Sequence, residues 1–141
     1  MMAAALFIAG VFAWTLVEYL LHRFAFHTRN RLLGRRHLAH HARMNDRSLA
    51  LAPPASILGG SALAALVSFG ALGLRGGWLF GGFLAGYVAY ELTHFALHYR
   101  RAKSPVGRAL QRHHLAHHQR TPRARFGVTS PLWDFVFGTA R

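Results

Sequence analysis

Residues 77–98 read GWLFGGFLAGYVAYELTHFALH, an apolar run of about one bilayer thickness that closes on Glu91, His94 and His98. About 20 helical residues at a rise of ~1.5 Å cover the ~30 Å of a hydrocarbon core. A helix of this composition is read as a membrane span. On it Glu91, His94 and His98 lie three and four apart, the separations that share one helical face, so the span ends in a polar stripe built for chemistry.

Working outward, Met1 to Leu21 and about Ala55 to Leu74 have the same apolar character, giving three expected spans at about 1–21, 55–74 and 77–97. Pro53-Pro54 opens the second, Gly76-Gly77 is expected to make the turn into the third, and Ser104-Pro105 reads as the cap and first residue of a later helix. The glycines at 73, 77, 81, 82 and 86 have the small-residue spacing that lets helices approach closely in lipid. Met1 to Leu21 has no basic segment before it and continues into histidines, so it reads as a retained span rather than a signal peptide.

Charge orients the layout. Seven arginines fall between Arg23 and Arg47, eight arginines and Lys103 follow the third span, and Arg75 alone lies between spans two and three. Basic residues beside span ends mark the cytoplasmic face, which puts the C-terminus and all histidine clusters there. The net charge of +13 with 52% hydrophobic residues therefore tracks membrane ends and anionic headgroups, and no nucleic-acid partner is expected. Cysteine is absent, which excludes disulfides and thiolate ligands.

Ten of the eleven histidines form four clusters: His22 and His27; His37, His40 and His41; His94 and His98; His114, His117 and His118. Neutral imidazole is the commonest metal ligand. Both triplets stand at i, i+3 and i+4, so each can converge on a point if helical. His22 and His27 are five apart, about 140° round a regular helix, and need a distortion near Phe24 to Phe26. His113 lies off the shared face and is left out of the ligand set. Each half repeats one plan, a glutamate before a histidine pair and then His-Leu-Ala-His-His at 37–41 and 114–118, which suggests two metal positions or one site closed by both halves. Glu18 and Glu91 are costly inside a membrane and are expected to support ligand imidazoles as hydrogen-bond acceptors, with direct metal binding as the alternative. Trp14, Phe24, Phe95 and Tyr99 are candidate walls of a lipid-facing pocket. Asp134 could pair with one of the arginines, and the run at 129–134 reads as a turn and short helix on the membrane or as a lid.

The order HX4H, HX2HH, HX3H, HX2HH, followed by Phe126-Gly127-Val128-Thr129-Ser130-Pro131-Leu132-Trp133-Asp134, resembles the fatty acid hydroxylase and sterol desaturase superfamily. The segments from Glu18 to Phe24 and from Arg112 to Trp133 are most similar to the fatty acid 2-hydroxylases of sphingolipid synthesis. The resemblance spans most of the chain and implies an all-α integral membrane bundle, residues 1–141 as a single hydroxylase-like domain. It also implies that the ten clustered histidines hold two iron ions for O2-dependent hydroxylation of lipid acyl chains. Ten ligands over two octahedral ions leave about one open position each. Zinc has no redox chemistry, so zinc in purified protein would mark metal exchange. No fused cytochrome b5 domain is expected, and electrons are expected from a separate donor such as cytochrome b5 or a ferredoxin. Sixteen arginines against one lysine suggest a high-GC bacterium and hence its cytoplasmic membrane. Carotenoid ring hydroxylases and sterol oxidases or desaturases share the histidine order and are the rival enzymes; a metal transporter and a non-catalytic metal protein are the rivals of other classes.

Overall fold

The computed structural model describes residues 1–28 and 33–141. Its elements are α1 (Met2–Leu20), a π-helical turn (Leu21–Phe26), α2 (Gly34–Ala42), α3 (Arg47–Ala50), α4 (Pro54–Leu72), a 3-10 turn (Gly73–Arg75), α5 (Gly76–Tyr99), α6 (Pro105–Gln119) and α7 (Leu132–Val136). The described residues include no strand. Two helical stretches, Met2–Phe26 and Arg47–Tyr99, are long and apolar enough to cross a membrane. The second contains α4 and α5 folded back on each other, with Phe69 beside Phe80 near the turn and Ala52 beside Glu91 at the far end.

The three expected apolar runs thus fall on α1, α4 and α5. The turn lies earlier than Gly76-Gly77: Gly73 adopts a φ of 56°, a left-handed conformation that glycine takes without penalty, and Gly76 already begins α5. Gly76 is needed for another reason, since a methyl group there would run into the carbonyl of Ser68 on α4.

Helices α1 and α5 run parallel, Phe7 lying on Gly82 and Trp14 on Gly86. Neither Gly10 nor Gly82 has space for a Cβ against the facing backbone. The small-residue stripe of α5 therefore serves α1 through Gly82 and Gly86, whereas α4 buries Ser68 alone. The Trp14 ring fills the next layer, edge-on to Phe83 and Tyr87 at centroid distances of 5.1 and 5.0 Å. Parallel packing carries both glutamate-histidine stripes to the same end of the bundle. There α6 begins as its sequence dictates, Pro105 at the first position and Ser104 Oγ accepting from Gly107 N at 3.0 Å.

The interior inverts the usual order. Leu58, Leu66 and Ile8 are 71, 71 and 67% exposed, while His22, His40, His114, His117 and Asp134 are essentially inaccessible. Charged residues are almost never fully buried in water-soluble domains unless paired, so this core exists to hold polar groups at fixed positions, and its outer surface is apolar.

Candidate metal centre

The spacing of His22 and His27 is resolved by the π-helical turn at Leu21–Phe26. Its i→i+5 hydrogen bonding brings residues five apart back onto one face, and the two rings stack at 5.2 Å. Helix α2 supplies His37 and His41, and His117 comes from α6. The Nε2 of His37 lies 3.1 Å from that of His22, 3.2 Å from His27 and 3.0 Å from His41, and His27 Nε2 lies 3.0 Å from His117 Nε2. One ligand atom from each of these five histidines falls within 4.8 Å of every other.

A second group forms from His40, His94, His98 and His118, within the same 4.8 Å limit. His40 Nε2 stands 3.2 Å from His94 Nε2 and 3.0 Å from His98 Nε2, and His114 joins through a 2.8 Å approach to His98. The two triplets are thus shared. His40 leaves the N-terminal half for the second group, and His117 leaves the C-terminal half for the first, each being the middle histidine of its triplet.

These contacts suit a metal better than they suit each other. A neutral imidazole carries one proton for two nitrogens, so three approaches at His37 Nε2 cannot all be hydrogen bonds. A metal–nitrogen bond of about 2.1 Å places neighbouring nitrogens of an octahedron about 3.0 Å apart and those of a tetrahedron about 3.4 Å apart. The observed 2.8–3.2 Å separations match octahedral edges. His118 has both ring nitrogens buried without a hydrogen-bond partner, a cost of a few kcal/mol that coordination would remove.

Electrostatics keep the rings ready to bind. Burial, followed by neighbouring imidazoles, pushes His27 down to about 4 and His41 to about 3. Burial and then Arg36 bring His40 to about 4. His37, His114 and His118 are lowered by burial first and neighbouring imidazoles second. Each is neutral at physiological pH, the form that coordinates.

Backbone carbonyls orient three of the rings. His22 Nδ1 donates to Phe126 O at 2.5 Å, His117 Nδ1 to Ala124 O at 2.6 Å and His94 Nδ1 to Ala50 O at 2.9 Å. Each bond fixes the tautomer that turns the Nε2 lone pair toward the cluster. A carbonyl leaves no trace in a sequence, and the Phe126-Gly127 run was the only pointer to any of them. Among the described residues no imidazole donates to Glu18 or Glu91. Glu18 instead accepts from the amides of Val128 and Thr129 at 2.6 and 3.0 Å and from Thr129 Oγ1 at 2.5 Å. Glu91 accepts from Tyr87 Oη at 2.8 Å and from Ala52 N at 3.3 Å. Asp134 meets His113 at 3.0 Å rather than an arginine, and also receives the amides of Phe126 and Gly127 at 2.8 Å each. That gives His113 a role outside the metal groups. The 126–129 segment is packed under His22, with Phe126 and Val128 buried, and the run at 129–134 leads from it into the short helix α7. Of the expected wall residues, Trp14 is buried in the α1–α5 contact and Phe24 is 61% exposed; Tyr99 donates to Met44 O at 3.0 Å.

Known proteins are similar to this chain. A dihydroceramide fatty acyl 2-hydroxylase of Arabidopsis thaliana is 35% identical over 94% of this chain and 59% of its own length. The ceramide very long chain fatty acid hydroxylase of Saccharomyces cerevisiae is 39% identical over 97% of this chain and 38% of its own. For the human fatty acid 2-hydroxylase the identity is 35%, over 98 and 40%. The chain thus spans between about two fifths and three fifths of these relatives. A solved structure of full-length scs7p, in which only the hydroxylase domain is visible, superposes with a TM-score of 0.82 at 37% identity, covering 97% of this chain and 55% of that one. The family model for fatty acid hydroxylases matches residues 7–139, so nearly the whole chain, including all ten clustered histidines, belongs to the fatty acid hydroxylase family.

Proposed function

We propose that this chain is a membrane-bound, di-iron, O2-dependent hydroxylase of lipid acyl chains, acting at the 2-position of a fatty acid or sphingolipid. The observation that carries the reading is the convergence of ten histidines into two adjacent nitrogen-only groups at one end of an apolar bundle. His22, His27, His37, His41 and His117 hold one ion; His40, His94, His98, His114 and His118 hold the other. Iron bound there supplies the activation of O2 that hydroxylation of an unactivated carbon requires, with electrons from a separate donor such as cytochrome b5 or a ferredoxin. The relatives named above are acyl hydroxylases, which favours an acyl chain over a carotenoid ring or a sterol.

The chain's own residues do the positioning. Apolar faces of α1 and α5 border the histidines on the membrane side, where an acyl chain would lie with its polar head in the interface. Phe126 packs against His22 and His117 at ring distances of 5.7 and 5.5 Å, shielding the first group from water. We further read residues 1–141 as one hydroxylase unit crossing a bacterial cytoplasmic membrane on α1, α4 and α5. The histidines and the C-terminus then face the cytoplasm, an orientation favoured by the sixteen basic residues grouped beside those span ends.

Lipid mass spectrometry of cells expressing the wild type or His117→Ala tests this. Acyl lipids that gain one oxygen only with the wild type are the expected result, and fragmentation should place the hydroxyl on carbon 2. Unchanged acyl lipids beside oxygenated β-carotene in fed cells would overturn the substrate.

A further inference from the structure

The chain has four acidic residues, and two of them, Glu18 and Glu91, occupy equivalent places one turn before the first histidine of their helices. Among the described residues neither is hydrogen-bonded to an imidazole. Each binds instead to a length of main chain crossing from elsewhere, and that length carries the carbonyl to which the histidine donates. Glu18 takes the amides of Val128 and Thr129, while Phe126 O in the same segment receives His22 Nδ1. Glu91 takes the amide of Ala52, while Ala50 O in the same segment receives His94 Nδ1. The carboxylate and the imidazole of one helix thus grip one crossing segment two to three residues apart.

The residue before each triplet completes the parallel. Arg36, preceding His37, donates to the carbonyls of Ser48 and Leu51 in the segment held by Glu91. His113, preceding His114, meets Asp134, whose oxygens hold the amides of Phe126 and Gly127 in the segment held by Glu18. Four consecutive amides, 126 to 129, therefore end on two carboxylates. Each of these amides is satisfied by a carboxyl oxygen inside the protein, where an unpaired amide would be costly, so the segments are held in place from within.

We propose that Glu18 and Glu91 are a matched pair of positioning residues, each tuning one metal group by securing the backbone carbonyl that orients His22 or His94. The proposal rests on the reading of the ten histidines as ligands. Loss of an outer partner of a metal-bound histidine lowers affinity roughly 10–100-fold, and the geometry makes that loss local: Glu18 governs the His22 group, Glu91 the His94 group.

Co(II) titration of the purified full chain in detergent, followed by visible absorption, tests it in two parents. His98→Ala leaves the His22 group whole; His27→Ala leaves the His94 group whole. In the first parent Glu18→Leu is expected to weaken Co(II) binding roughly 10–100-fold and Glu91→Leu to leave it unchanged; in the second the pattern reverses. Glu18→Gln and Glu91→Gln keep an acceptor oxygen and should restore binding. Glu18→Asp and Glu91→Asp keep the charge but withdraw the oxygens, and serve where a leucine variant does not fold; they should weaken binding at the same group as leucine. Equal losses in both parents, or no loss in either, would overturn the proposal. A wild type that binds no Co(II), or parents that bind as much as the wild type, would instead sink the ligand assignment beneath it.

Discussion

Asp134 is the side chain on which the first group's support converges. Its oxygens receive Phe126 N, Gly127 N, Thr139 Oγ1 at 2.7 Å and His113, with no exposure to solvent. Burial alone would raise its carboxyl, yet the bonds from His113, Thr139 and the two amides outweigh burial and hold it below the ordinary carboxylate range. Removing it in Asp134→Ala strands two buried amides at about 1–3 kcal/mol each. The expected outcome is a drop of several degrees in the Tm of the metal-free protein, larger than that of His113→Ala, both read by differential scanning fluorimetry. The sequence showed that His113 stands off the face shared by His114, His117 and His118. What it does instead depends on where residue 134 lies after two turns of loop, which no local spacing encodes.

At the scale of elements, the contact between α1 and α5 decides whether the histidine stripes meet. Gly10 and Gly82 face each other's backbones with no room for a methyl group, whereas a methyl group on Gly59 of α4 would meet nothing within 4 Å. Gly82→Leu should therefore separate the helices, lowering both the Tm in detergent and the number of metal ions bound. Gly59→Ala should leave both within error or raise the Tm slightly, since alanine is the better helix former by about 1 kcal/mol. Metal analysis beside a melting curve checks the contrast. The five-residue gap between His22 and His27 announced a distorted helix, and the distortion took the form of a π turn. The small-residue stripe announced close packing but not its partner. Spacing on one helix says which face is thin, while the choice between α1 and α4 depends on three-dimensional fit.

For the molecule as a whole, acid is the adverse condition. Histidines held at about 4 when folded and near 6.5 when unfolded take up protons more readily in the unfolded chain. Their contribution is therefore complete above about pH 6.5 and is lost as pH falls toward 4. Asp134, lowered in the fold, adds stability that disappears at still lower pH. The Tm of metal-free protein should fall steadily from pH 7 to pH 4, and bound metal should raise it at neutral pH by mass action; thermal scans with and without chelator check both. The helical class, the three apolar runs and the ten convergent histidines were all legible from periodicity and spacing. The exchange of His40 and His117 between halves was not, because two identical pentapeptides offer no local reason for their middle histidines to cross over. That exchange has a consequence for how the protein comes into being. A ribosome that has released the N-terminal half has released a ligand set lacking His117, and the C-terminal half alone lacks His40. On the proposed ligand assignment each half brings four histidines to one ion and a single histidine to the other, so either position is completed to five only when both halves have been made and packed together.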